Sequence, residues 1–287
     1  MRKTITEPHL QSWLDQAIRI SQAAGDAILV FYTGDFSVYQ KSDASPLTDA
    51  DMAAHRVIMA GLDDLETGFP ILSEESAQIP FDERSRWETY WLVDPLDGTR
   101  EFIKRRGEFT VNIALIHHGR PVLGVVHIPV RNRTYFAAKG LGAHRWDGNR
   151  DEDSRDTNAT IPIHVRTQVE PPLRILGSHS HASQLLDEYL AKASARFGEY
   201  DLVTMGSALK FCLVAEGAAD FYPRFGPTSE WDTAAAHAIV LEAGGEVTDM
   251  GLNPLLYNRK DSLINPFFFV FGHRHHDWSA FVPEGCK

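Results

Sequence analysis

The sequence predicts a mixed α/β protein of the α+β class, with two parts of different character. Between residues 71 and 138, apolar strand-like runs follow one another with short turns, which is typical of a meandering, largely antiparallel sheet. After residue 173, strand-like and helix-like segments alternate, which indicates a lobe of the α/β type. A polar stretch at 145–160 separates the two patterns, so we expect an N-terminal lobe over 1–155 and a C-terminal lobe over 156–287.

Length and composition suit a soluble globular protein. The chain has 287 residues, of which 43% are hydrophobic, and it can therefore bury a substantial core. The formal net charge of −11 argues against a nucleic-acid-binding surface, which would need a basic face. The chain has no apolar run of about 18 residues, no signal-like N-terminus and only two cysteines, so we expect a cytoplasmic protein without a membrane span. Oligomeric state and peripheral association with a membrane are left open.

Two helices are predicted before the first sheet. Apolar residues recur at helical spacing over 10–33, and the segment ends near Gly34. A second helix is predicted from Asp49 to Glu66, closed by Gly68.

The remaining elements are predicted in the same way from periodicity and turn residues. The N-terminal strands are expected at 71–72, 90–93, 109–117, 122–128 and 133–138. The C-terminal strands are expected at 174–176, 199–204, 218–222 and 267–271. The C-terminal helices are expected at 182–194, 207–216 and 232–243.

The most informative stretch is DPLDGT, which follows an apolar strand. The aspartyl-phosphate signature D-x-D-G-T would place its nucleophilic Asp where this chain has Pro95, and a proline cannot attack phosphorus. The spacing instead suits a metal site: Pro95 is expected to end the strand, so that Asp94 and Asp97 lie in a tight turn and face one point. Gly98 would let the backbone approach an anion, and Thr99 would begin a helix whose free N–H groups favour phosphate.

Two carboxylates are too few for a site with two metal ions, so further ligands are needed. Hard cations such as Mg²⁺ prefer oxygen ligands and commonly share them with a substrate phosphate. Glu74 ends a predicted strand, whereas Asp51 and Asp232 stand at the starts of predicted helices. A carboxylate at a helix start is also an ordinary capping group, so Asp51 and Asp232 have a purely structural alternative.

Other phosphate chemistries lack their signatures. The chain contains no GxxxxGK[ST] loop, no C-x5-R and no GxSxG. His179 and His181 form an H-x-H pair that could bind a metal, but its place at a strand end favours a substrate contact for His181. The basic run at 104–106 is either a solvated face or part of a site for a second phosphate, and Arg224 is a candidate for contact with substrate.

The motifs ILSEES, DPLDGT and WDTAA occur in one order along the chain, and together they resemble the inositol monophosphatase superfamily. The stretches KSDASPLTDAD, WLVDPLDGTREFIKRRGEFTVNIALI, GSALKFCLVAEG and YPRFGPTSEWDTAAAHA extend the resemblance over 14–271. They are similar in particular to the 3'(2'),5'-bisphosphate nucleotidase branch of bacterial sulfate assimilation. This chain departs from the branch at Ala208, which interrupts a run of small residues and Ser, and in the longer acidic stretch at 145–160.

The resemblance implies the layered αβαβα sandwich of the sugar phosphatases and a lithium-sensitive site for two or three Mg²⁺ ions. The implied metal ligands are Glu74, Asp94, the backbone carbonyl of Leu96, Asp97 and Asp232. Phosphate would rest on the amides of Gly98 and Thr99, while Asp51 and Thr99 would hold and polarise the attacking water. The implied contacts with a phosphorylated nucleotide are His181, Gly206, Lys210 and Asp232.

Three functions are consistent with these residues. The first is Mg²⁺-dependent hydrolysis of the 3'-phosphate of adenosine 3',5'-bisphosphate by a metal-activated water, without a covalent intermediate. The second is an inositol or other sugar monophosphatase on the same scaffold. The third is a non-catalytic protein that binds phosphate or metal. The stretches YPRFGPT and GSALK favour the first, and the complete set of carboxylates speaks against the third.

Overall fold

The structure is a computed structural model that describes residues 5–34, 36–40, 46–148, 160–168, 171–178, 184–272, 277–284 and 286. Its helices are α1 Glu7–Thr33, α2 Asp49–Asp63, α3 Phe81–Arg84, α4 Thr99–Ile103, α5 Gln184–Phe197, α6 Leu209–Ala215 and α7 Glu230–Glu242. Its strands are β1 Val38–Gln40, β2 Pro46–Thr48, β3 Ile71–Ser73, β4 Thr89–Asp97, β5 Thr110–His117, β6 Arg120–Ile128, β7 Arg133–Ala138, β8 Gly142–Asp147, β9 Thr160–Pro162, β10 Leu173–Gly177, β11 Tyr200–Thr204, β12 Phe221–Arg224, β13 Glu246–Asp249 and β14 Phe268–Phe271.

Two large sheets form the framework. The first has seven strands in the order β3-β4-β5-β6-β7-β8-β9, and every neighbouring pair is antiparallel except β3 and β4. This arrangement confirms the predicted meander. The second has five strands in the order β11-β10-β12-β14-β13, with parallel pairs on one side and antiparallel pairs on the other. Strands β1 and β2 form a separate antiparallel pair.

Three apolar clusters hold five layers together, which confirms the expected αβαβα sandwich. Alternation along β4 sends Trp91 and Val93 to the face covered by α1 and α2, and Tyr90 and Leu92 to the opposite face. That opposite face packs on α6 and α7, whose other side contacts the second sheet. The third cluster joins the far face of the second sheet to α5 and the 3₁₀ turn Trp278–Phe281.

The middle layer depends on the small side chains of α7. A helix buried on all sides needs no polar stripe, and residues 233–240 of α7 are all buried. Ala235 lies against Gly124 of β6, where a side chain on the glycine would overlap the helix backbone. The close approach brings the first turn of α7, with Asp232, to the end of the first sheet.

Several boundaries differ from the expectations. β4 continues through Pro95 to Asp97, so the prediction that the proline ends the strand is wrong. The stretch predicted as a linker at 145–160 begins inside β8 and ends at the first residue of β9, while 149–159 lie outside the described residues. β8 was missed because its alternation is weak and its side chains are largely polar and partly exposed. β13 was missed because Val247 is the one apolar residue among its four.

The two-lobe division near residue 155 stays a prediction, since its boundary lies among residues that the structure does not describe. The described helices include none with both the length and the apolar character that a bilayer crossing requires.

Gly124→Ala tests the contact between β6 and α7. The added Cβ would lie 2.0 Å from the carbonyl oxygen of Ala235, so the helix must shift. We expect the free energy of unfolding to fall by about 1–3 kcal/mol or more in denaturant titrations. Gly177→Ala is the matched control, because the nearest atom there belongs to the movable side chain of Leu202, at 3.3 Å. Equal effects of the two substitutions would contradict the proposed close packing.

Candidate active site

A β-bulge brings the two aspartates of DPLDGT to the same side of the sheet. Asp94 pairs with Asn112 and Asp97 pairs with Thr110, so three steps along β4 match two steps along β5. In a regular strand, residues three apart point to opposite faces, and the extra residue of the bulge reverses this. Both carboxylates therefore line one cavity of about 280 Å³.

The carboxylate of Asp97 is held by groups from two elements. Its Oδ2 accepts hydrogen bonds from the backbone N–H of Ala208 at 2.6 Å and from the Asn112 side-chain amide at 3.4 Å. Thr110 donates its hydroxyl to the same oxygen at 3.4 Å. Asp94 in turn accepts the N–H of Leu96 at 3.0 Å, inside the bulge.

Asp232 completes the cluster from the middle layer. It is the third residue of α7, and its Oδ2 accepts the N–H of Ser229 at 2.9 Å in a capping box. The structural alternative for Asp232 is therefore real, yet it does not exclude a second role. One oxygen each of Asp94, Asp97 and Asp232 lies within 4.8 Å of the others.

The two other predicted metal ligands line the same cavity. Glu74 begins the short 3₁₀ helix after β3, and it is a hydrogen-bond partner of Asp94. Leu96 lies in the bulge between the two aspartates and lines the cavity, and its backbone carbonyl accepts the Thr99 hydroxyl at 3.3 Å. Their assignment as metal ligands stays a prediction.

The clustered carboxylates cannot all ionise without a counter-charge. Burial, together with neighbouring Glu74, Asp97 and Asp232, raises the pKa of Asp94 well above its usual range. Burial raises the pKa of Asp97 to about 6. The pKa of Asp232 is also raised, first by burial and then by the Asp97 carboxylate. Protons relieve this repulsion when no cation is bound.

The donor set fits a hard divalent cation. The cluster offers oxygen atoms only, and its members are close enough for one ion to contact several of them. Mg²⁺ prefers such ligands and usually keeps positions for water and phosphate oxygens. A bound cation would favour the ionised carboxylates, whose mutual repulsion is otherwise costly in this cavity.

Asp51 and Thr99 are in contact, and Thr99 lines the cavity, whereas their role toward an attacking water stays a prediction. Thr99 donates its hydroxyl to Asp51 Oδ1 at 3.2 Å. Asp51 Oδ2 accepts the Thr48 N–H at 2.8 Å and the Thr48 hydroxyl at 2.5 Å, which caps α2. Asp51 thus divides its two oxygens between a structural cap and the Thr99 hydroxyl.

Gly98 occupies a backbone conformation that favours glycine. Its φ is +93°, and a Cβ there would lie 3.0 Å from the carbonyl oxygen of Glu108. The residue links the bulge of β4 to the start of α4, and both Gly98 and Thr99 line the cavity. Their role as the phosphate seat stays a prediction.

The far wall of the cavity comes from the segment before α6. Gly206 lines it and donates its N–H to Glu108 at 2.9 Å. Lys210 is buried and donates to the carbonyl oxygens of Met205 at 3.0 Å and Ser207 at 2.8 Å. Burial lowers the pKa of Lys210 to about 8, so the group still carries a charge at neutral pH. His181 lies outside the described residues.

The basic run at 104–106 is exposed and does not belong to the described lining of the cavity. Arg105 donates to the carbonyl of Gly34 at 2.9 Å and lies over the rings of Tyr32 and Phe36. These contacts favour a surface role for the run.

Sequence reasoning missed several polar groups of the lining, among them Arg100 and Ser207. Arg100 lines the cavity and directly follows Thr99 in the sequence. Its position next to the DGT residues could have identified it as a lining residue. Ser207 has a φ of +46° and a buried hydroxyl without a hydrogen-bond partner in the described part of the chain. Its unusual backbone conformation has no signature in the sequence. Arg224, a candidate from the sequence, also lines the cavity and donates to Thr228 at 2.8 Å.

The layered fold and its carboxylate cavity define a member of a known class of phosphatases. Residues 9–279 match the inositol monophosphatase family, and the chain belongs to this family. It is 50% identical over 259 residues to the 3'(2'),5'-bisphosphate nucleotidase CysQ of Escherichia coli strain K12, covering 90% of this chain and 98% of that relative.

Two solved structures support the same conclusion. CysQ from Bacteroides thetaiotaomicron, a bacterial member of the inositol monophosphatase family, is similar at a TM-score of 0.83 and 43% identity, covering 94% of this chain and 100% of that one. An inositol monophosphatase from Anabaena (Nostoc) sp. PCC 7120 gives a TM-score of 0.70 at 25% identity, covering 96% and 98%. The family predicted from the motifs is therefore confirmed.

The cluster predicts a pH-dependent stability that Mg²⁺ should remove. Asp97 has a pKa of about 6 in the fold against 3.8 ordinarily, so the cation-free folded protein binds protons that the unfolded chain has released. Its stability should therefore fall as pH rises from about 4 to about 6. We expect the increase in Tm caused by Mg²⁺ to grow over this interval in thermal unfolding.

Asp97→Asn is the control for that measurement, because it removes a titrating member of the cluster while keeping its size. The variant should show a smaller Mg²⁺-dependent rise in Tm across the interval. A Mg²⁺ effect on Tm that is equal at both ends of the pH range would contradict a cation site at these carboxylates.

Proposed function

We propose that this protein is a Mg²⁺-dependent phosphomonoesterase that hydrolyses the 3'-phosphate of adenosine 3',5'-bisphosphate to give AMP and inorganic phosphate. The observation that carries the proposal is the 50% identity with Escherichia coli CysQ over 90% of this chain. The inositol monophosphatase alternative has weaker support, since the Anabaena enzyme shares 25% of its residues. The cluster offers oxygen ligands only, with Asp94 buried and Asp97 and Asp232 partly buried, which agrees with a catalytic function for the cavity.

The residues that would hold the cations are Glu74, Asp94, the Leu96 carbonyl, Asp97 and Asp232. When bound, two or three Mg²⁺ ions supply positive charge that offsets the phosphate and make a nearby water easier to deprotonate. The carboxylates fix where this charge lies, because each is held by a backbone or side-chain partner. Asp97 and Asp232, for example, accept backbone N–H groups at 2.6 and 2.9 Å.

Asp51 and Thr99 provide the route for a proton from the attacking water. The Thr99 hydroxyl donates its hydrogen to Asp51 Oδ1. The lone pairs of the Thr99 oxygen are therefore available to accept a proton from water. Asp51 Oδ2 is held by Thr48, so the acceptor oxygen toward Thr99 is fixed in orientation. Water attacks phosphorus directly in this scheme, since Pro95 occupies the position where an aspartyl nucleophile would stand.

The wall opposite the carboxylates supplies groups for the nucleotide. Lys210 and Arg224 are buried cations of the cavity, and they attract a substrate with two phosphates. Gly206 allows the wall to approach Glu101 and Glu108, because a Cβ there would lie 2.9 Å from atoms of both residues. We assign His181 to the same contact region on the resemblance alone. The partner is thus a small phosphorylated nucleotide, and we place the enzyme in the cytoplasm.

A phosphate-release assay separates the candidate functions. Adenosine 3',5'-bisphosphate should be hydrolysed faster than inositol 1-phosphate or histidinol phosphate, and only with Mg²⁺ present. Asp94→Asn is the control and should lower turnover by orders of magnitude while the protein stays folded by circular dichroism. Preferential release from inositol 1-phosphate would favour the second function, and release from none of the three would favour the binding-protein alternative.

The pair Thr99→Val and Thr99→Ser tests the proton route. Valine keeps the shape but removes the hydroxyl, and kcat should fall by about 10²- to 10⁴-fold with little change in Tm. Serine keeps the hydroxyl and should retain most of the activity. Similar kcat values for the two variants would show that the Thr99 hydroxyl does not take part.

A further inference from the structure

A buried polar network lies behind the first turn of α7, outside the described lining of the cavity. It consists of Arg84, Asn258 and Glu230, which we call the Arg84–Asn258–Glu230 network. Their side chains are 2%, 7% and 1% exposed. Such groups are costly to bury and need well-placed partners, so the network calls for a physical explanation.

Arg84 and Asn258 bind each other reciprocally. The Arg84 guanidinium donates to Asn258 Oδ1, and the Asn258 amide donates to the backbone carbonyl of Arg84 at 2.6 Å. Arg84 also donates to the carbonyl oxygens of Lys260 and Asp261. A helix of the N-terminal half, α3, thereby fixes a loop of the C-terminal half.

The same loop, residues 258–265, forms hydrogen bonds with the start of α7. The N–H of Asn258 donates to Glu230 Oε2 at 2.8 Å, and the N–H of Glu230 donates to the carbonyl of Leu263 at 2.8 Å. Asn265 donates to the carbonyl of Ser229 at 2.9 Å. Asn258 makes its contact from a left-handed conformation, with φ of +54°. The first turn of α7 is thus held at consecutive residues.

Asp232 belongs to this held turn. It accepts the N–H of Ser229, and the loop contacts Ser229 and Glu230 directly. A shift of the turn would move the Asp232 carboxylate away from Asp94 and Asp97, because these two lie on β4 in a separate layer. Rigid support of this kind decides how well ligands from separate elements meet at one ion.

We propose that Arg84 and Asn258 are positioning residues, which hold the first turn of α7 so that Asp232 meets the other two carboxylates around a divalent cation. The inference rests on the proposed function for the presence of the cation, and it adds residues that touch neither metal nor substrate. In this proposal, the network increases the affinity of the site for the cation as well as the stability of the fold.

The test measures Mg²⁺ binding directly by titration calorimetry, together with Tm, on the full chain. Arg84→Met keeps the length of the apolar stem and removes the guanidinium. We expect the Kd for Mg²⁺ to rise by about 10- to 100-fold, as for other losses of support behind a metal ligand. Arg84→Lys should recover part of the affinity, since its ammonium nitrogen can still donate to part of the loop.

Asn258→Gly is the second variant, and it serves if Arg84→Met does not fold. Glycine adopts the left-handed conformation readily and keeps the backbone N–H that reaches Glu230, so only the side-chain link to Arg84 is lost. Its Kd for Mg²⁺ should also rise. Arg133→Met is the matched control: Arg133 pairs with Asp147 and the variant should lose stability without a change in Kd.

The outcomes separate this inference from the proposed function. If the wild type binds Mg²⁺ and the folded variants bind it equally tightly, the positioning role is wrong and the enzyme assignment stands. A wild type that binds no Mg²⁺ would contradict both. A rise in Kd that is equal for Arg84→Met and Arg133→Met would reduce the effect to general destabilisation and overturn the inference.

Discussion

The carboxylates of Asp94, Asp97 and Asp232 repel one another in a shared cavity, and much of the surrounding structure serves to hold them there. Oxygen atoms of the three lie within 4.8 Å of one another, although they come from a strand and from a helix of another layer. Isolated groups would separate or take up protons. The bulge of β4, the capping box of α7 and the donors around Asp97 each oppose separation, so a site that would be unfavourable alone is ready for a divalent cation.

The same constraint explains why the middle layer is built from small residues. Asp232 can reach the end of the first sheet only if α7 lies close to it, and a glycine on β6 opposite an alanine on the helix permits that distance. The Arg84–Asn258–Glu230 network then holds the first turn of the helix through the Asn258 N–H and the Glu230 carboxylate. Packing between the layers and polar contacts at the helix start thus both contribute to the position of the Asp232 carboxylate.

Much of the fold and the residues of the carboxylate cluster could be predicted because their signals are local. DPLDGT carries two carboxylates, a proline and a glycine within six residues, and Asp232 lies in the first turn of a helix with a clear alanine-rich pattern. The bulge could not be predicted, since it exists only in the register of β4 against β5, and the prediction that Pro95 ends the strand failed for that reason. Arg84 and Asn258 are far apart in the chain and neither stands in a recognisable motif, so their pairing is visible only in three dimensions.

The position of α7 in the middle of the sandwich also affects the order in which the protein can fold during synthesis. The ribosome completes the first sheet long before it reaches α7, and one apolar face of that sheet has its natural cover only once α7 has emerged. Until then the nascent chain exposes an apolar surface through which it can aggregate. Asp232, the third carboxylate of the cluster, is part of the helix that covers this surface, so the cluster is complete only after the two halves have assembled.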